Sequence, residues 1–329
     1  MHIITRWCPA AMSIVFLLAG CASSAGPTKP DAPPADAAAS SDQPPSGIGR
    51  KDDGALLGPY ASAGPFTVQG WKSSEANGSV NSWLLLSGDE AALIDAQLVL
   101  SEGERVVKMI RESGKSLKWI WITHGHPDHS TGLAPIVAAF PEAKVYAHPR
   151  VASNAAQLFD AYKGTLNRFF PGDIPAEATL PEAWEHEALS LGGHAIKVLA
   201  YEEGESEFTT ALLVPSAKAV FAADMVYNRV FPWLNEMRVE GVRAHVDALE
   251  AIPDVTTFYP GHGEPVGKEY FATYREYLDL FERETAAASD ANDLVRRVWS
   301  QRRDWRSLAG LRFSATAHLN ARSAGSSSP

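Results

Sequence analysis

One stretch of fifteen residues, 119–133, constrains the fold more strongly than any other part of the chain. It reads Trp-Ile-Trp-Ile-Thr-His-Gly-His-Pro-Asp-His-Ser-Thr-Gly-Leu. Residues 119–122 are apolar and rich in β-forming side chains, as in a short buried strand. Gly125 and Pro127 end the extended structure directly after that strand. The turn that follows carries four potential metal ligands, which are His124, His126, Asp128 and His129.

The spacing of these ligands indicates a site for two neighbouring cations. His124 and His126 are separated by one residue, so both side chains point to the same side of an extended turn. Asp128 and His129 follow on a helical turn and point elsewhere. Imidazole and carboxylate at this density suit zinc, and less often iron or manganese. The alternative is a histidine-rich surface loop, and the His-x-His-x-Asp-His order is too specific to favour it.

This motif, placed after a buried strand, resembles that of the metallo-β-lactamase superfamily of metallohydrolases. The resemblance covers residues 60–290, because the other motif positions of the superfamily also occur in order. It implies an α/β fold, a four-layer αββα sandwich in which two mixed β-sheets pack face to face between helices. The succession of predicted strands and helices along the chain agrees with that architecture.

The resemblance assigns roles to three acidic or histidine residues outside the motif. Asp95, at the end of a predicted strand, matches a residue that orients the histidine loop without binding metal. Asp224 matches a carboxylate that bridges two metals held about 3.5–4 Å apart. His262, in a Pro-Gly-His-Gly turn, matches the last ligand of the second metal, beside Asp128 and His129.

The chain departs from the superfamily pattern at Glu205. A histidine is usual at this position, and the chain has Glu-Gly-Glu-Ser-Glu over residues 203–207. A glutamate oxygen binds zinc at about 2.0–2.2 Å, so we predict that Glu205 is a ligand. With His124 and His126 it forms a two-histidine, one-carboxylate set that also suits iron. The alternatives are a single metal with a weak or empty first site, and an acidic loop exposed to solvent.

The segment after the bridging aspartate is predicted to line the substrate pocket, because it follows that residue directly. The predicted lining residues are Tyr227, Asn228, Phe231 and Trp233. The aromatic members would form apolar walls, and Asn228 or Arg229 would grip a carboxylate or polarise a carbonyl. Core packing is the competing interpretation. Residues 163–186 are predicted to form a long loop whose aromatic side chains cover either the metals or the edge of the core.

These features predict a zinc-dependent hydrolase with a small-molecule substrate. Two metals would share Asp224, and the water they make acidic would attack a carbonyl group. Asp128 is the predicted catalytic residue: it would bind metal, orient the nucleophile and relay a proton. The resemblance to enzymes with a bridging aspartate, such as hydroxyacylglutathione hydrolases and lactonases, favours an ester, thioester or lactone.

Three other functions are weighed against this prediction. The first is a β-lactamase or hydrolytic dehalogenase on the same fold. The second is an iron-dependent oxidoreductase, which the Glu205 substitution favours. The third is a binding protein with a vestigial site, which is disfavoured because six of the seven expected ligand positions hold the expected residue type.

The composition of the chain limits the partners that it can bind and the metal ligands that it can supply. The formal net charge of −10 argues against a protein that binds nucleic-acid phosphates. The two cysteines, Cys8 and Cys21, both lie in the first 21 residues. The folded body therefore lacks a thiolate ligand, which excludes the cysteine-ligated type of zinc β-lactamase.

The amino terminus predicts export and a lipid anchor. Residues 1–20 have a weakly basic start and a short apolar core, as in a signal peptide of the lipoprotein type. They lead into Leu-Leu-Ala-Gly-Cys, which resembles a bacterial lipobox with Cys21 as the lipidated residue. An ordinary signal peptide cut after Ala25 is the alternative. We expect a membrane-anchored protein of the cell envelope, with its domain on the periplasmic or extracytoplasmic side.

The remaining boundaries follow from composition and periodicity. Residues 21–58 are rich in Ala, Pro and Ser and predict a flexible tether. The hydrolase domain is predicted over 59–321, with a helix over 290–308 near its end, and residues 322–329 are predicted to be disordered. Four histidines without ligand-like neighbours are predicted to be structural or exposed: His186, His194, His245 and His318. His148 is predicted to be a hydrogen-bonded structural histidine, and a position at the site is the alternative.

Overall fold

Two mixed β-sheets form the centre of the computed structural model, which describes residues 43–45, 53–62 and 64–325. The first sheet has seven strands in chain order: β1 (Ala55–Ala61), β2 (Phe66–Lys72), β3 (Asn81–Ser87), β4 (Glu90–Ile94), β5 (Ser116–Ile122), β6 (Lys144–Ala147) and β7 (Glu182–Ala183). Pairing is antiparallel from β1 to β4 and parallel from β4 to β7.

The second sheet has five strands in the spatial order β12-β11-β10-β9-β8. Their bounds are β8 (Ala188–Leu191), β9 (His194–Glu202), β10 (Phe208–Val214), β11 (Ala219–Tyr227) and β12 (Thr257–His262). The pair β11 and β12 is parallel, and the other pairs are antiparallel. Both sheets are therefore mixed, which confirms the predicted fold class.

Helices cover the outer faces of both sheets. They are α1 (Leu100–Ser113), α2 (Leu133–Ala139), α3 (Pro149–Phe169), α4 (Val239–Ala251), α5 (Tyr270–Ala287), α6 (Ala291–Gln301) and α7 (Leu308–Gly325). One core cluster joins the first sheet to α1 and α2, and another joins the second sheet to α4 through α7. A third cluster lies between the sheets and includes Trp121 and Phe221. The layers therefore run helix, sheet, sheet, helix.

Two largely apolar strands, β3 and β11, occupy positions that are covered on both faces, and their polar residues Asn81, Ser82, Ser87 and Asp224 are buried as well. All seven residues of β3 and all nine of β11 are buried. Such strands cannot alternate apolar and polar residues, because neither face meets water. Trp83 of β3, 2 % exposed, lies in the layer between the sheets with its ring centroid 5.1 Å from that of Tyr259. Truncation of a buried aromatic residue of this kind typically costs about 3–5 kcal/mol.

Two predicted features near the carboxyl terminus are wrong. The helix predicted over 290–308 ends at Gln301, because the chain turns there and brings Trp305 onto Tyr277, with ring centroids 4.6 Å apart. The disorder predicted from Arg322 is wrong for residues 322–325, which belong to α7. The Arg322 guanidinium donates to the carbonyls of Thr285 and Ala288, both at 2.6 Å, and so fixes this helix end.

Two further boundaries differ from the prediction. The folded domain includes Ala55, four residues before the predicted start at 59, because β1 pairs with β2 from Ala55 to Leu57 and again at Tyr60 and Ala61. The loop predicted over 163–186 begins later, since α3 continues to Phe169. The predicted signal peptide, Cys21 and most of the tether lie outside the described residues. Among the described helices, each is too short or too polar to cross a membrane.

Candidate metal centre

The histidine motif lies on the turn after β5, as its flanking residues predict. Residues Pro127–His129 form one turn of 3-10 helix. His124 forms an isolated β-bridge with Thr209, and the Thr210 N–H donates to the Thr123 carbonyl at 3.0 Å. Because β5 and β10 belong to different sheets, these contacts place the motif at the junction between the two sheets.

Three other elements bring ligands to the same junction. Asp224 lies on β11, and His262 is the last residue of β12. These strands are parallel neighbours in which Tyr227 pairs with His262. Glu205 lies in the turn between β9 and β10. The fold thus assembles residues that are far apart in the sequence.

The ligand atoms form two groups. The first consists of His124, His126, Glu205 and Asp224, and the second of Asp128, His129 and His262. Asp224 also faces the second group: Oδ1 lies 3.3 Å from His129 Nε2, and Oδ2 lies 3.3 Å from His262 Nε2. Its Oδ2 is 3.9 Å from His124 Nε2. Asp224 therefore connects the two groups.

The spacing within the second group matches the coordination of one cation. Four ligand atoms placed tetrahedrally at about 2.0–2.2 Å from a metal lie about 3.3–3.6 Å from one another. Asp128 Oδ2 lies 3.3 Å from His262 Nε2 and 3.6 Å from His129 Nε2. Asp224, with one oxygen 3.3 Å from His129 Nε2 and the other 3.3 Å from His262 Nε2, is placed to supply a fourth ligand to this group.

The first group is slightly more uneven. His124 Nε2 lies 3.7 Å from Glu205 Oε2. His126 presents Nδ1 rather than Nε2, and this atom lies 2.9 Å from Glu205 Oε1, which is a hydrogen-bond distance. A cation can bind among the side chains of this first group if the 2.9 Å contact between His126 Nδ1 and Glu205 Oε1 lengthens by a few tenths of an ångström.

Unpartnered buried atoms show that the residues fit a metal. Within the described residues, His124 Nε2, His129 Nε2, Glu205 Oε2 and Asp224 Oδ1 are buried without a hydrogen-bond partner. Each side chain is at most 4 % exposed. One such atom costs about 1–3 kcal/mol when it is left unsatisfied. Cations bound by all four atoms would remove that cost.

Asp95 fixes the histidine loop, in the place that the sequence predicts. Its carboxylate accepts from His129 Nδ1–H at 2.8 Å, from the Thr123 N–H at 2.9 Å and from the Thr123 hydroxyl at 2.9 Å. Because that hydroxyl gives its proton to Asp95, it accepts from His124 Nδ1–H at 3.0 Å. Both histidines therefore turn the lone pair of Nε2 toward the cluster.

The His262 turn is fixed by β3 and the turn before it. His262 Nδ1–H donates to the Gly78 carbonyl at 3.0 Å, which again leaves Nε2 for the cluster. The Asn81 amide and the Trp83 indole N–H both donate to the Pro260 carbonyl, at 3.0 and 2.8 Å. These bonds hold the turn against the first sheet.

Burial and the neighbouring charged groups shift the pKa values of the side chains in the cluster. Burial lowers the pKa of His262, but the carboxylates of Asp224 and Asp128 outweigh it and raise that pKa to about 10. Burial raises the pKa of Glu205 to about 7, against the attraction of His126. When no cation is bound, protonated imidazoles therefore compensate the carboxylates. A metal must displace these protons in order to bind.

The turn that carries Glu205 rests on α4. A Cβ on Gly204 would lie 2.1 Å from His245 Cε1, and one on Gly241 would lie 1.6 Å from the Glu203 carbonyl oxygen. His245 Nε2–H donates to the Glu202 carbonyl at 2.8 Å. His245 is thus structural, as predicted, and its relation to Glu205 was missed. The glycine directly before Glu205 was the available signal.

Two of the predicted pocket residues lie at the cluster. The Tyr227 hydroxyl donates to Asp224 Oδ2 at 2.5 Å and lies 3.3 Å from Glu205 Oε1. Its ring stacks on that of His262, with centroids 4.8 Å apart. Trp233 lies edge-on to His126, with ring centroids 6.3 Å apart. Tyr227 is therefore part of the cluster, and Trp233 borders it.

The other two predicted pocket residues are placed differently. Phe231 is 1 % exposed and contacts the rings of Tyr277 and Trp305, so its prediction as a pocket wall is wrong and the core interpretation applies. The Asn228 amide donates to the Glu264 carbonyl at 3.0 Å. Asn228 therefore lies after β11 and packs against the turn after His262, and its side chain is not among the ligand atoms.

Comparison with known sequences places this geometry in a family. Residues 76–262 match the profile of the Metallo-beta-lactamase superfamily. Curated relatives include the hydroxyacylglutathione hydrolases of Roseobacter denitrificans, 28% identical over 183 residues, and Cupriavidus taiwanensis, 29% identical over 181 residues. These matches cover 56% and 55% of this chain and 61% of each relative. The chain thus spans about three fifths of the length of these relatives.

Solved structures show the same fold. A metallo-beta-lactamase from Pontibacter korlensis is 15% identical with a TM-score of 0.54, and the match covers 69% of this chain and 99% of that one. A metallo-beta-lactamase family protein from Thermus thermophilus is 22% identical with a TM-score of 0.52, covering 75% and 89%. At these identities the likeness concerns the arrangement of sheets and helices.

Proposed function

The chain belongs to the metallo-β-lactamase superfamily, and on this premise we propose that it is a metal-dependent hydrolase of a small ester, thioester or lactone. One observation carries the proposal: Asp224 faces both ligand groups, at 3.3 Å from His129 and His262 and at 3.9 Å from His124. A carboxylate so placed can be shared by two cations. The matched hydroxyacylglutathione hydrolases support a thioester as one substrate class.

The residues of the two groups would hold two zinc ions. His124, His126 and Glu205 would hold the first, and Asp128, His129 and His262 the second, with Asp224 shared. When bound, such ions polarise a carbonyl group and lower the pKa of water toward about 7. The Nδ1 hydrogen bonds of His124, His129 and His262 keep their Nε2 atoms aimed at these positions.

Asp128 and Tyr227 would handle protons and orientation. Asp128 is 25 % exposed, so a substrate or water reaches it more easily than the other carboxylates of the cluster. From this position it would orient the attacking water and accept its proton. The Tyr227 hydroxyl would keep Asp224 in place, because it donates to Oδ2 at 2.5 Å.

A substrate panel tests this proposal. The zinc-loaded protein is assayed with a thioester, a lactone and a β-lactam, before and after removal of the metal by a chelator. We expect metal-dependent turnover of the thioester or lactone, and a loss of about 10²–10⁴-fold in kcat/KM for Asp128→Asn. Turnover of the β-lactam alone would favour the β-lactamase alternative. Hydrolysis of none of the three by the loaded protein would refute the proposal.

The identity of the bound metal distinguishes the proposed hydrolase from an iron-dependent oxidoreductase. An oxidoreductase that uses the Glu205 site would purify with iron and lose its activity when zinc replaces it. We expect the opposite order, with the zinc form as the active hydrolase. Metal analysis of the purified protein, followed by activity after reconstitution with each metal, distinguishes the two.

We also propose that the domain is held at a bacterial membrane through acylated Cys21, on the periplasmic or extracytoplasmic side. The support is the lipobox-like sequence that ends at Cys21 and the Ala/Pro/Ser-rich segment after it. In fractionated cells the wild-type protein should be in the membrane fraction, and Cys21→Ser should release it. Equal distribution of both proteins would contradict the anchor.

A further inference from the structure

The cluster is open to solvent on one side. The side chains of His126 and Asp128 are 13 % and 25 % exposed, whereas those of His262, Glu205 and Asp224 are at most 6 % exposed. A substrate must therefore approach over His126 and Asp128. The residues that border this side decide which substrates fit.

Two aromatic residues border it on the side of the second sheet. Trp233 lies edge-on to His126, with centroids 6.3 Å apart and an interplanar angle of 67°. Phe313 of α7 packs on Trp233, with centroids 5.3 Å apart. Both rings are partly exposed. Phe313 lies beyond residues 76–262, so the helices after the family region supply part of this wall.

Helix α3 packs on the histidine turn itself. Leu158 packs so closely on Gly125, between the first two ligand histidines, that a Cβ on this glycine would lie 2.3 Å from Leu158 Cδ1. Tyr162 lies one turn further along. Its ring is partly buried and packs against the core cluster that includes Phe159 and Leu166. An apolar side chain, that of Leu158, therefore packs on the histidine turn from α3.

The arginines around the Glu205 turn are already paired. Arg150 contacts Glu202 and Glu207, and Arg238 lies 3.1 Å from Glu203. Their charges are compensated by these glutamates, so they offer little attraction to an anionic acyl or leaving group. The aromatic rings of Trp233 and Phe313 are the surfaces at this opening that could hold an uncharged part of a substrate.

We propose that Trp233 and Phe313 form an acyl-group subsite that selects aromatic or medium-chain apolar acyl groups over short ones. This inference rests on the proposed hydrolase function and names its substrate class. In the complex, the carbonyl lies at the cluster and the apolar part of the acyl group lies against the Trp233 ring. Phe313 is a positioning residue that holds Trp233 in place.

Binding of carboxylates tests the subsite independently of turnover. Calorimetry on the zinc-loaded protein compares phenylacetate with acetate, which share a carboxylate and differ in the apolar part. We expect phenylacetate to bind at least about tenfold more tightly. Trp233→Ala and Phe313→Ala should reduce this preference to about twofold or less, with acetate affinity unchanged, and Trp233→Phe should restore most of it.

Trp184→Ala is the matched control. This tryptophan contacts Tyr146 and His186, with centroids 4.7 and 5.0 Å away, at the edge of the first sheet. Its loss should leave the preference unchanged. Circular dichroism and zinc content of each variant show whether it is folded. Equal affinity for both acids in the wild type, or an unchanged preference in folded Trp233→Ala, would overturn the subsite.

Kinetics separate failure of the subsite from failure of the function. The same variants are assayed with acetyl and phenylacetyl esters of one thiol. Equal kcat/KM for both thioesters, together with equal binding of both acids, removes the subsite and leaves the hydrolase. Preferential binding of phenylacetate without turnover of any ester in the panel removes the hydrolase and leaves an apolar carboxylate site.

Discussion

Replacement of Gly204 by alanine should expel Glu205 from the first metal site. The new Cβ would lie 2.1 Å from His245 Cε1 and 2.3 Å from its Nδ1. Carbon atoms in ordinary contact are about 3.5–4.0 Å apart, so the turn or the ring must move by roughly 1.5 Å. If the ring moves instead, it loses its 2.8 Å hydrogen bond to the Glu202 carbonyl.

The size of the effect follows from the tolerance of metal coordination. Ligand distances at a metal stay within about 0.2 Å of their ideal values, so a shift of the turn by an ångström removes the Glu205 oxygen. We expect first-site zinc affinity to fall about 10–100-fold, as when a supporting residue is lost. Overpacking against His245 should also lower the free energy of unfolding by about 1–3 kcal/mol.

Zinc competition with a chromophoric chelator measures the affinity, and urea unfolding measures the stability. Gly164→Ala is the control, since a Cβ there meets no atom within 4 Å and Gly164 lies inside α3. That change should stabilise the protein by about 0.5–1 kcal/mol and leave zinc binding unaltered. The double variant Gly204→Ala/His245→Ala makes room for the methyl group but loses the hydrogen bond to the Glu202 carbonyl, so it should recover part of the zinc affinity and not the stability. Unchanged affinity and stability in Gly204→Ala would refute the claim that His245 supports Glu205.

Three further predictions concern the rest of the cluster. In Gly261→Ala the new Cβ would lie 1.9 Å from Asp224 Oδ1 and 3.0 Å from His129 Cε1. This variant should therefore bind less than half as much zinc as the wild type, as measured by atomic emission. Full zinc occupancy would contradict the shared role of Asp224. Asp95→Asn should weaken zinc binding about 10–100-fold, because the amide cannot accept from both His129 and the backbone as the carboxylate does; chelator competition gives the value, and no change would separate Asp95 from the site. Neighbouring carboxylates outweigh burial and raise the pKa of His262 to about 10, so zinc must displace a proton from it at neutral pH. The apparent affinity for zinc should therefore rise between pH 7 and pH 9. An affinity that does not change with pH would show that His262 is already neutral.

The metal ligands were predictable because they lie in short sequence motifs of histidine and aspartate. His124, His126, Asp128 and His129 lie within one turn, and the buried strand before them is visible in the sequence. Asp224 and His262 each lie on apolar β-strands, β11 and β12. The superfamily resemblance predicted that they lie together, and the parallel pairing of β11 and β12 explains why, because it brings the ends of both strands to one edge.

The surroundings of the ligands were less predictable because they depend on packing between distant elements. Phe231 and Trp233 are two residues apart and equally apolar, yet Phe231 is in the core and Trp233 borders His126. The position of Trp233 depends on a contact with α7, because Phe313 of that helix packs on its ring. Local sequence carries no signal for such a contact, and Gly204 was the one available signal for the packing of His245 on the turn that carries Glu205.

The central claim is that two cations share Asp224, with Glu205 as a ligand of the first. The zinc content per chain of the purified protein and of Glu205→Ala tests it most directly. The account predicts about two equivalents in the wild type and about one in the variant. Less than one equivalent in the wild type, or the same content in both proteins, would contradict it.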